Sequence, residues 1–479
     1  MKHPKRPISA IFTFILVYGT SSCTKKFLDD QNITGTLIRE EYVTDLKTTG
    51  EYLNGVYATM STSMFDAANT IYPDLIADNT KPIAGASGTT PMQFQYNWDQ
   101  QPDNSQSTSF NVNNCNGLSY GCYQVIRGSN FVIQAADRYQ QQDIARADDL
   151  KGQALAIRAY AHFTLLNVFA QPYGFTPDAS HPGIVLIRTW NWTDNAGQRN
   201  TVAECYQSII DDLTEAIAIL TPTSNNLTFN QKSAKSLLAR VYLYKNDFLN
   251  AKNLSVEVIH AVPLMTAGYP ENLFKFEDTE AILQLPPAGF ANQYLTNFAS
   301  LYFKSFARFT ATNDIADLLT EDPEDKRKAW ISGDFDQWTI TKFPEGVTPG
   351  LDFPEQSYLQ PVIRSSEMYL TAAEAYHQLN NQDSAVYYLD AIRFRANPNT
   401  SATTATGNDL KVLIYKERRK ELAFEGLRIF DLLRWKQSII RKDALPGSPK
   451  ELPYPSSHAI APISLLDIDS YSISQNPEY

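Results

Sequence analysis

The segment Glu417–Trp435, in which carboxylate and guanidinium side chains alternate, is the part of this sequence that most suggests acid–base chemistry. If the segment is helical, Glu417, Glu421 and Glu425 are four residues apart and share a face, and Arg418 lies three residues before Glu421. Hydrolysis of a glycosidic bond requires two carboxylates that flank a cleft, one of them with a raised pKa. The spacing identifies no such pair, so we predict no catalytic residue. We interpret the segment as a structural network of ion pairs between helices or as a solvated face.

Residues suited to sugar binding occur elsewhere. Aromatic rings stack on the apolar faces of pyranoses, amides and carboxylates bind their hydroxyls, and loops present both kinds of group. The segment Gln95–Gln100 combines these residue types in a stretch of loop composition. We predict a ligand-binding set in and just before this segment: Trp98, Tyr96, Asn97, Asp78 and Asn79. The alternative for Trp98 is that it anchors the loop by packing.

A second aromatic set lies further along the chain, in a segment rich in Phe, Tyr, Pro, Gly and Asp. Tyr294, Trp330 and Trp338 have polar neighbours, and we predict that they extend the same binding surface. The alternative for each ring is a place in the core.

The N-terminus has the pattern of a bacterial lipoprotein signal. Basic residues in the first six positions precede a short apolar run over Ile8–Tyr18, and small residues then lead to Cys23. The run is too short to span a bilayer, which needs about 20 apolar residues. We therefore predict a signal peptide over 1–22, lipidation at Cys23 and a tether over 23–37. Acyl chains on Cys23 would anchor the protein firmly in a membrane.

The remaining cysteines do not have the spacing of a zinc site with the histidines, and we predict neither a metal nor a cofactor. An exported protein enters an oxidising compartment, so a disulfide that closes a short loop between Cys115 and Cys122 is one outcome. The sequence leaves open whether these two residues are bridged. A net charge of −11 argues against nucleic acid as a partner, because phosphate binding depends on basic patches.

Apolar residues at helical spacing predict a mostly α fold. The clearest helix runs from about Asp148 to Ala170 with one buried face, and Thr201 with Glu204 predicts a capping box at the start of another helix. Residues 231–260 predict two helices joined by a tight turn.

Two parts of the chain share a repeated pattern. Tyr242 and Ala251 in the first helix pair match Tyr376 and Ala385 at the same offset. This pattern is typical of tetratricopeptide-like helix hairpins. We predict a tetratricopeptide-like helical-repeat scaffold with an irregular, loop-rich insertion. A single domain over 38–479 would carry loop-rich, ligand-facing segments at about 79–116 and 263–360.

Several motifs follow one another along nearly the whole chain, and the one over 417–435 is the most specific. They are Phe27-Leu28-Asp29 after Cys23, Arg158-Ala159-Tyr160, Pro172-Tyr173-Gly174, Arg364 to Leu370, Glu417 to Gly426 with Arg434-Trp435, and Gln475 to Tyr479. In this order the sequence resembles the SusD/RagB family of Bacteroidetes outer-membrane lipoproteins.

The resemblance implies a lipid-anchored outer-membrane protein at the cell surface that is not an enzyme. Such a protein binds an oligosaccharide, or in some members a peptide, and passes it to a SusC-like TonB-dependent transporter. Two alternatives remain at this stage: a protein-binding helical scaffold without a small ligand, and a glycan hydrolase. Exposed rings favour ligand capture, buried rings favour the scaffold, and paired carboxylates across a deep cleft favour the hydrolase.

Overall fold

The computed structural model describes residues 39–83, 90–107, 112–190, 198–223, 225–285, 301–302, 307–334, 337–344 and 359–479. The predicted signal peptide, tether and Cys23, as well as Tyr294, lie outside these residues. Within the described ranges, no helix combines the length and apolar character needed to cross a bilayer.

Most of the described residues with regular structure are helical, which confirms the predicted fold class. The α-helices in chain order are α1 (Arg39–Tyr42), α2 (Leu46–Thr59), α3 (Ala67–Leu75), α4 (Gln93–Tyr96), α5 (Asn116–Tyr139), α6 (Ile144–Phe169), α7 (Val202–Ile219), α8 (Gln231–Tyr244), α9 (Phe248–Ala261), α10 (Asn313–Thr320), α11 (Ser365–Gln378), α12 (Gln382–Ala396), α13 (Gly407–Glu421), α14 (Arg428–Arg434) and α15 (Leu465–Tyr471). The short strands are β1 (Thr80–Pro82), β2 (Ala281–Leu285), β3 (Phe309–Ala311), β4 (Ile331–Ser332), β5 (Thr339–Ile340), β6 (Gln360–Arg364), β7 (Ile439–Ile440) and β8 (Glu451–Leu452).

Local signals account for several helix ends. The predicted capping box is present before α7, where the Glu204 N–H donates to Thr201 Oγ1 at 3.2 Å and the Thr201 N–H donates to Glu204 Oε2 at 2.8 Å. The helix predicted over 148–170 is α6. It is longer than predicted and buried on more than one face, because α5 and α7 both pack against it.

The two predicted helix hairpins have the same turn. Asn246 and Asn380 adopt left-handed conformations with φ of 65° and 60°, a region that Asn tolerates better than most residues. In each hairpin the next N–H donates over 2.9 Å to the carbonyl of the matched tyrosine, Tyr242 or Tyr376. Helix α9 of the first hairpin packs on α11 of the second, so the repeats stack as predicted.

The structure answers the question that the sequence left open for Cys115 and Cys122: both are free thiols. Cys115 precedes α5 and Cys122 lies within it. The two cysteines are seven positions apart, which along a helix corresponds to a rise of about 10 Å and is beyond the reach of a disulfide. Cys115 Sγ instead donates to Gln100 Oε1 at 3.4 Å, and burial raises the pKa of both thiols.

Glu421, the last residue of α13, is the centre of a buried charge network. Its Oε1 accepts from Arg364 Nη1 at 2.8 Å and from Arg395 Nη2 at 2.6 Å. Its Oε2 accepts from the Tyr269 hydroxyl at 3.2 Å and from Arg327 Nη1 at 3.4 Å. Burial alone would raise the pKa of Glu421, but the three arginines hold it well below its usual value.

A second carboxylate, Glu280, links two of the same arginines. Its Oε1 accepts from Arg364 Nη1 at 2.7 Å and from the Ser366 hydroxyl at 2.7 Å, and its Oε2 accepts from Arg395. The network therefore joins the segment before β2, the end of β6 and helices α11, α12 and α13. These ion pairs confirm the interpretation of 417–435 as a structural ion-pair network between helices.

Replacing Glu421 by Gln should lower the free energy of unfolding by about 3–5 kcal/mol, because it leaves buried arginines without their counter-charge. Glu51→Gln is a matched control, since Glu51 forms an exposed pair with Lys47 at 3.8 Å and such pairs contribute about 0–1 kcal/mol. Denaturant titration of both variants measures the difference. Equal stability losses in the two would contradict a central role for the network.

Candidate functional site

Asp78 is buried at 6% exposure between α3 and β1, where it forms ion pairs with two arginines. Arg428 Nε donates to Asp78 Oδ1 at 2.7 Å and Arg428 Nη2 donates to Oδ2 at 2.9 Å. Arg419 Nη2 lies 3.3 Å from Asp78 Oδ2. Burial opposes ionisation, yet the two arginines lower the pKa of Asp78 to about 2. Both oxygens of the Asp78 carboxylate are paired with arginines of the protein, so the prediction that Asp78 contacts a ligand is wrong.

Asn79 is also committed to internal hydrogen bonds, with 1% of its surface exposed. Its Nδ2 donates to Asp74 Oδ1 at 2.7 Å, and its Oδ1 accepts from Arg419 Nε at 2.9 Å. The Gly426 N–H donates to the other oxygen of Asp74 at 2.7 Å. Asn79 therefore joins the loop after α3 to the segment after α13, and the prediction that it binds ligand is wrong for the same reason.

Tyr96 and Trp98 are buried at 1% and 5% exposure, so the prediction that they present open rings is wrong. The Arg441 guanidinium lies between them, with its carbon 4.1 Å from the Tyr96 ring centroid and 3.9 Å from that of Trp98. Trp98 Nε1 donates to the Ile76 carbonyl at 2.7 Å. Trp98 is thus a packed anchor of its loop, which was the alternative considered from the sequence.

Arg441 has hydrogen bonds to backbone carbonyls rather than to carboxylates. Its Nε donates to Ala77 at 2.7 Å and its Nη2 donates to Leu75 at 2.9 Å, while Nη1 donates to Tyr96. Burial is the main cause that lowers its pKa to about 10. The ring faces and carbonyl dipoles together stabilise this charge.

Trp330 is also buried, at 2% exposure, and its predicted role in ligand binding is wrong. Lys342 Nζ lies 4.0 Å from its ring centroid and donates to the carbonyls of Glu421 and Ala423 at 2.8 and 2.9 Å. The Trp330 ring therefore packs against a cation of the buried charge network.

Of the predicted ligand-binding residues that the structure describes, two remain accessible. Asn97 and Trp338 are half-buried: Asn97 Oδ1 accepts from the Ser448 hydroxyl at 2.7 Å, and Trp338 Nε1 donates to Asn313 Oδ1 at 3.0 Å. Sequence reasoning missed Ile83 and Phe94, which are 40% and 39% exposed. Phe94 is in the same short helix as Tyr96, and the sequence does not reveal which of the two rings turns outward.

These accessible residues are on neighbouring elements that join the two predicted loop-rich segments. Strand β1 pairs antiparallel with β3, with Thr80 opposite Ala311, and Ala311 also bridges Trp338. Helix α4, which carries Phe94, lies against β1. We call Ile83, Phe94, Asn97 and Trp338 the candidate ligand face. It offers rings and an amide, the groups suited to binding a polar ring with apolar faces.

Buried polar contacts fix the relative positions of these elements. Lys81 Nζ donates to Asp443 Oδ2 at 2.9 Å, and the same oxygen accepts from the Asn313 N–H at 2.7 Å. The side chain of Asn313 in turn accepts the hydrogen bond from Trp338 Nε1. Among the residues with described side chains, no cluster of three or more His, Cys, Asp or Glu residues could hold a metal ion.

Two family models match this chain. One, described as "Starch-binding associating with outer membrane", matches residues 26–243, and the other, described as "SusD family", matches residues 326–455. The chain belongs to the SusD/RagB family. A curated SusD-like protein of Bacteroides ovatus is 24% identical over 67% of this chain and 66% of its own length, so the alignment spans just under two thirds of that relative.

Solved SusD structures agree with the fold. A SusD superfamily protein from Bacteroides thetaiotaomicron has a TM-score of 0.80 and 25% identity, with 91% of this chain and 100% of that chain covered. A laminarin-binding SusD-like protein has a TM-score of 0.67 and 22% identity over 91% of this chain and 100% of its own. The SusD motif over 417–435 has a structural role here. Arg418 Nε donates to Asp431 Oδ2 at 2.8 Å, and Arg434 Nη2 donates to Glu374 Oε2 at 2.7 Å.

Asp78→Asn should reduce stability by about 2 kcal/mol near neutral pH, because the native state lowers the pKa of this carboxyl from 3.8 to about 2. The stabilisation is present above pH about 4 and is lost as pH falls through about 2. The difference in unfolding free energy between wild type and variant should therefore shrink on acidification, as measured by urea titration. Asp99→Asn, which removes an exposed carboxylate in the loop after α4, is the control. A difference that stays constant with pH would exclude the ion pair as its cause.

Proposed function

We propose that this chain is a cell-surface glycan-binding lipoprotein that passes oligosaccharide to a SusC-like TonB-dependent transporter and catalyses no reaction. The observation that carries the proposal is the candidate ligand face, where accessible rings from both loop-rich segments lie on elements that contact one another: Phe94 is on α4, which lies against β1, and Trp338 bridges Ala311 of β3, the partner of β1. The words "Starch-binding" in the description of one family model and the structural similarity to a laminarin-binding protein support the ligand class, and the words "associating with outer membrane" support the location.

The face suits capture rather than enclosure. Trp338 and Asn97 are half-buried, and Phe94 exposes 39% of its surface, so a bound chain would remain largely in contact with water. Shallow sites of this kind give modest affinity because little ligand surface is buried. Modest affinity suits a protein that must release its ligand to a second protein.

Trp338→Ala and Phe94→Ala should each weaken glycan binding by roughly threefold to tenfold, since each removes a ring on which a sugar can stack. Isothermal titration of the purified chain against laminarin oligosaccharides, other glycans and peptides measures the affinities. Tyr387→Ala is the matched control, because Tyr387 is a 69% exposed ring on α12, outside the face. Unchanged glycan affinity in both variants would contradict binding at the candidate ligand face.

Cys23→Ala should release the protein from the membrane fraction, because it removes the predicted acylation site. Cell fractionation and mass spectrometry of the mature N-terminus measure this outcome, and Cys205→Ala is the control for loss of a cysteine alone. A Cys23→Ala protein that stays in the outer membrane would contradict lipid anchoring.

The transporter partnership has its own test. A tagged copy of the chain, extracted from membranes in mild detergent, should copurify with a TonB-dependent barrel. A tight complex without any glycan binding would instead favour the protein-binding scaffold, the alternative with which the burial of Trp98 and Trp330 agrees.

A further inference from the structure

One segment outside both loop-rich segments is bonded to the elements that carry the candidate ligand face. It is the connection between β7 and β8, residues 441–450, in the C-terminal part of the chain. The two strands pair with Ile439 opposite Leu452, and the Arg441 N–H donates to the Lys450 carbonyl at 2.8 Å. The connection is therefore the end of a β-hairpin that the strand pairing holds at its base.

The tip of this hairpin is a tight turn whose shape the residue types favour. The Ser448 N–H donates to the Leu445 carbonyl at 2.9 Å, which closes a four-residue turn. Its central residues are Pro446 and Gly447, and Gly447 has a φ of 84°. Proline followed by glycine is typical of a type II turn, in which the third residue has a positive φ. The turn therefore holds its first and last residues in a defined relative position.

Both ends of the turn are bonded to the loop that carries part of the candidate ligand face. The Leu445 N–H donates to the Tyr96 hydroxyl at 3.3 Å, and the Ser448 hydroxyl donates to Asn97 Oδ1 at 2.7 Å. Tyr96 is in the same short helix as Phe94. The turn thus contacts both the helix that presents Phe94 and the side chain of Asn97.

The first part of the connection joins the remaining elements of the face. Asp443 Oδ2 accepts from Lys81 Nζ on β1 at 2.9 Å and from the Asn313 N–H at 2.7 Å. Strand β1 leads directly into Ile83, and the Asn313 side chain accepts from Trp338. The side chains of Lys81 and Asp443 are only 7% and 11% exposed, so water screens this ion pair little. Asp443 therefore links the part of the face that carries Ile83 to the part that carries Trp338.

Asn97 is the residue of the face whose side chain can hydrogen-bond a ligand. Trp338 Nε1 is already bonded to Asn313, and Ile83 and Phe94 have no polar side-chain atoms. The bond from Ser448 occupies Asn97 Oδ1 and leaves Nδ2 to donate. An amide that is held in one orientation before binding loses less freedom when a ligand arrives, which favours affinity.

We propose that the β7–β8 connection is the positioning element of the candidate ligand face, and that Ser448 is the positioning residue for Asn97. This inference rests on the proposed function, because it concerns how that face binds its ligand. Ser448 acts through Asn97, and Asp443 acts through Lys81 and Asn313, so neither residue needs to touch the ligand.

Ser448→Ala should weaken the binding of laminarin oligosaccharides about threefold to tenfold in isothermal titration, because it frees the Asn97 amide. The melting temperature should stay nearly unchanged, since the Ser448 side chain is half-buried and has one hydrogen bond. Ser448→Thr keeps the hydroxyl and should restore the affinity of the wild type.

Ser456→Ala is the matched control for this series. It removes another half-buried hydroxyl, which accepts from the His458 N–H at 3.2 Å outside the face, and it should leave the affinity unchanged. Unchanged affinity in Ser448→Ala, or a loss that Ser448→Thr does not restore, would overturn the role of Ser448 while leaving the proposed function in place. A wild type that binds no oligosaccharide would refute both.

Hydrogen–deuterium exchange of the full chain tests the positioning role without a ligand. Asp443→Asn should increase deuterium uptake in 79–83 and 93–99, because it removes the charge that pairs with the buried Lys81. Uptake in the hairpins α8–α9 and α11–α12 should stay unchanged.

Asp390→Asn is the control for the exchange experiment. Asp390 is a similarly buried carboxylate, 8% exposed, that pairs with Arg393 on α12 at 2.6 Å. This variant should leave uptake in 79–83 and 93–99 unchanged. An Asp443→Asn protein with unchanged uptake in these two segments, or with an equal increase throughout the chain, would overturn the positioning role of the connection.

Discussion

The pairing of Glu421 with three arginines is the interaction on which the rest of this structure depends. These charges come from α13, from the end of β6, from α12 and from the turn before β4, so the elements must dock together before any one of them is neutralised. A buried charge left alone is strongly destabilising, whereas a fully bonded network is tolerated and specifies one arrangement. The helical repeats and the irregular insertion are thereby fixed to each other.

The same principle extends outward to the loops. Arg419 and Arg428 lie on either side of Glu421 in the sequence. Both form ion pairs with Asp78, which comes immediately before the first loop-rich segment. Arg441, further along the chain, holds Tyr96 and Trp98 through ring faces and carbonyls. Internal charges therefore position the loops, and the residues they engage cannot also serve a ligand.

This arrangement changes the meaning of the aromatic residues. Trp98 and Trp330 each pack against a buried cation, so their rings stabilise charge inside the protein. Among the described residues, Phe94 and Trp338 are the aromatic rings of the candidate ligand face that remain accessible. The relative positions of Phe94 and Trp338 depend on the pairing of β1 with β3, because α4 lies against β1 and Trp338 bridges Ala311 of β3.

The sequence by itself determined the helical class, the capping box at Thr201, the matched hairpins and the structural nature of the 417–435 segment. These features depend on local spacing and on charge pairing within or between helices, both of which the order of residues encodes directly. Only the tertiary structure decided which rings are exposed. Tyr96 and Phe94 differ by two positions in one helical turn, and the ring that faces inward, Tyr96, packs against Arg441, which is more than 300 residues away in the sequence. The free state of Cys115 and Cys122 was likewise decided by structure, because helix α5 holds apart two residues that a loop could have brought together.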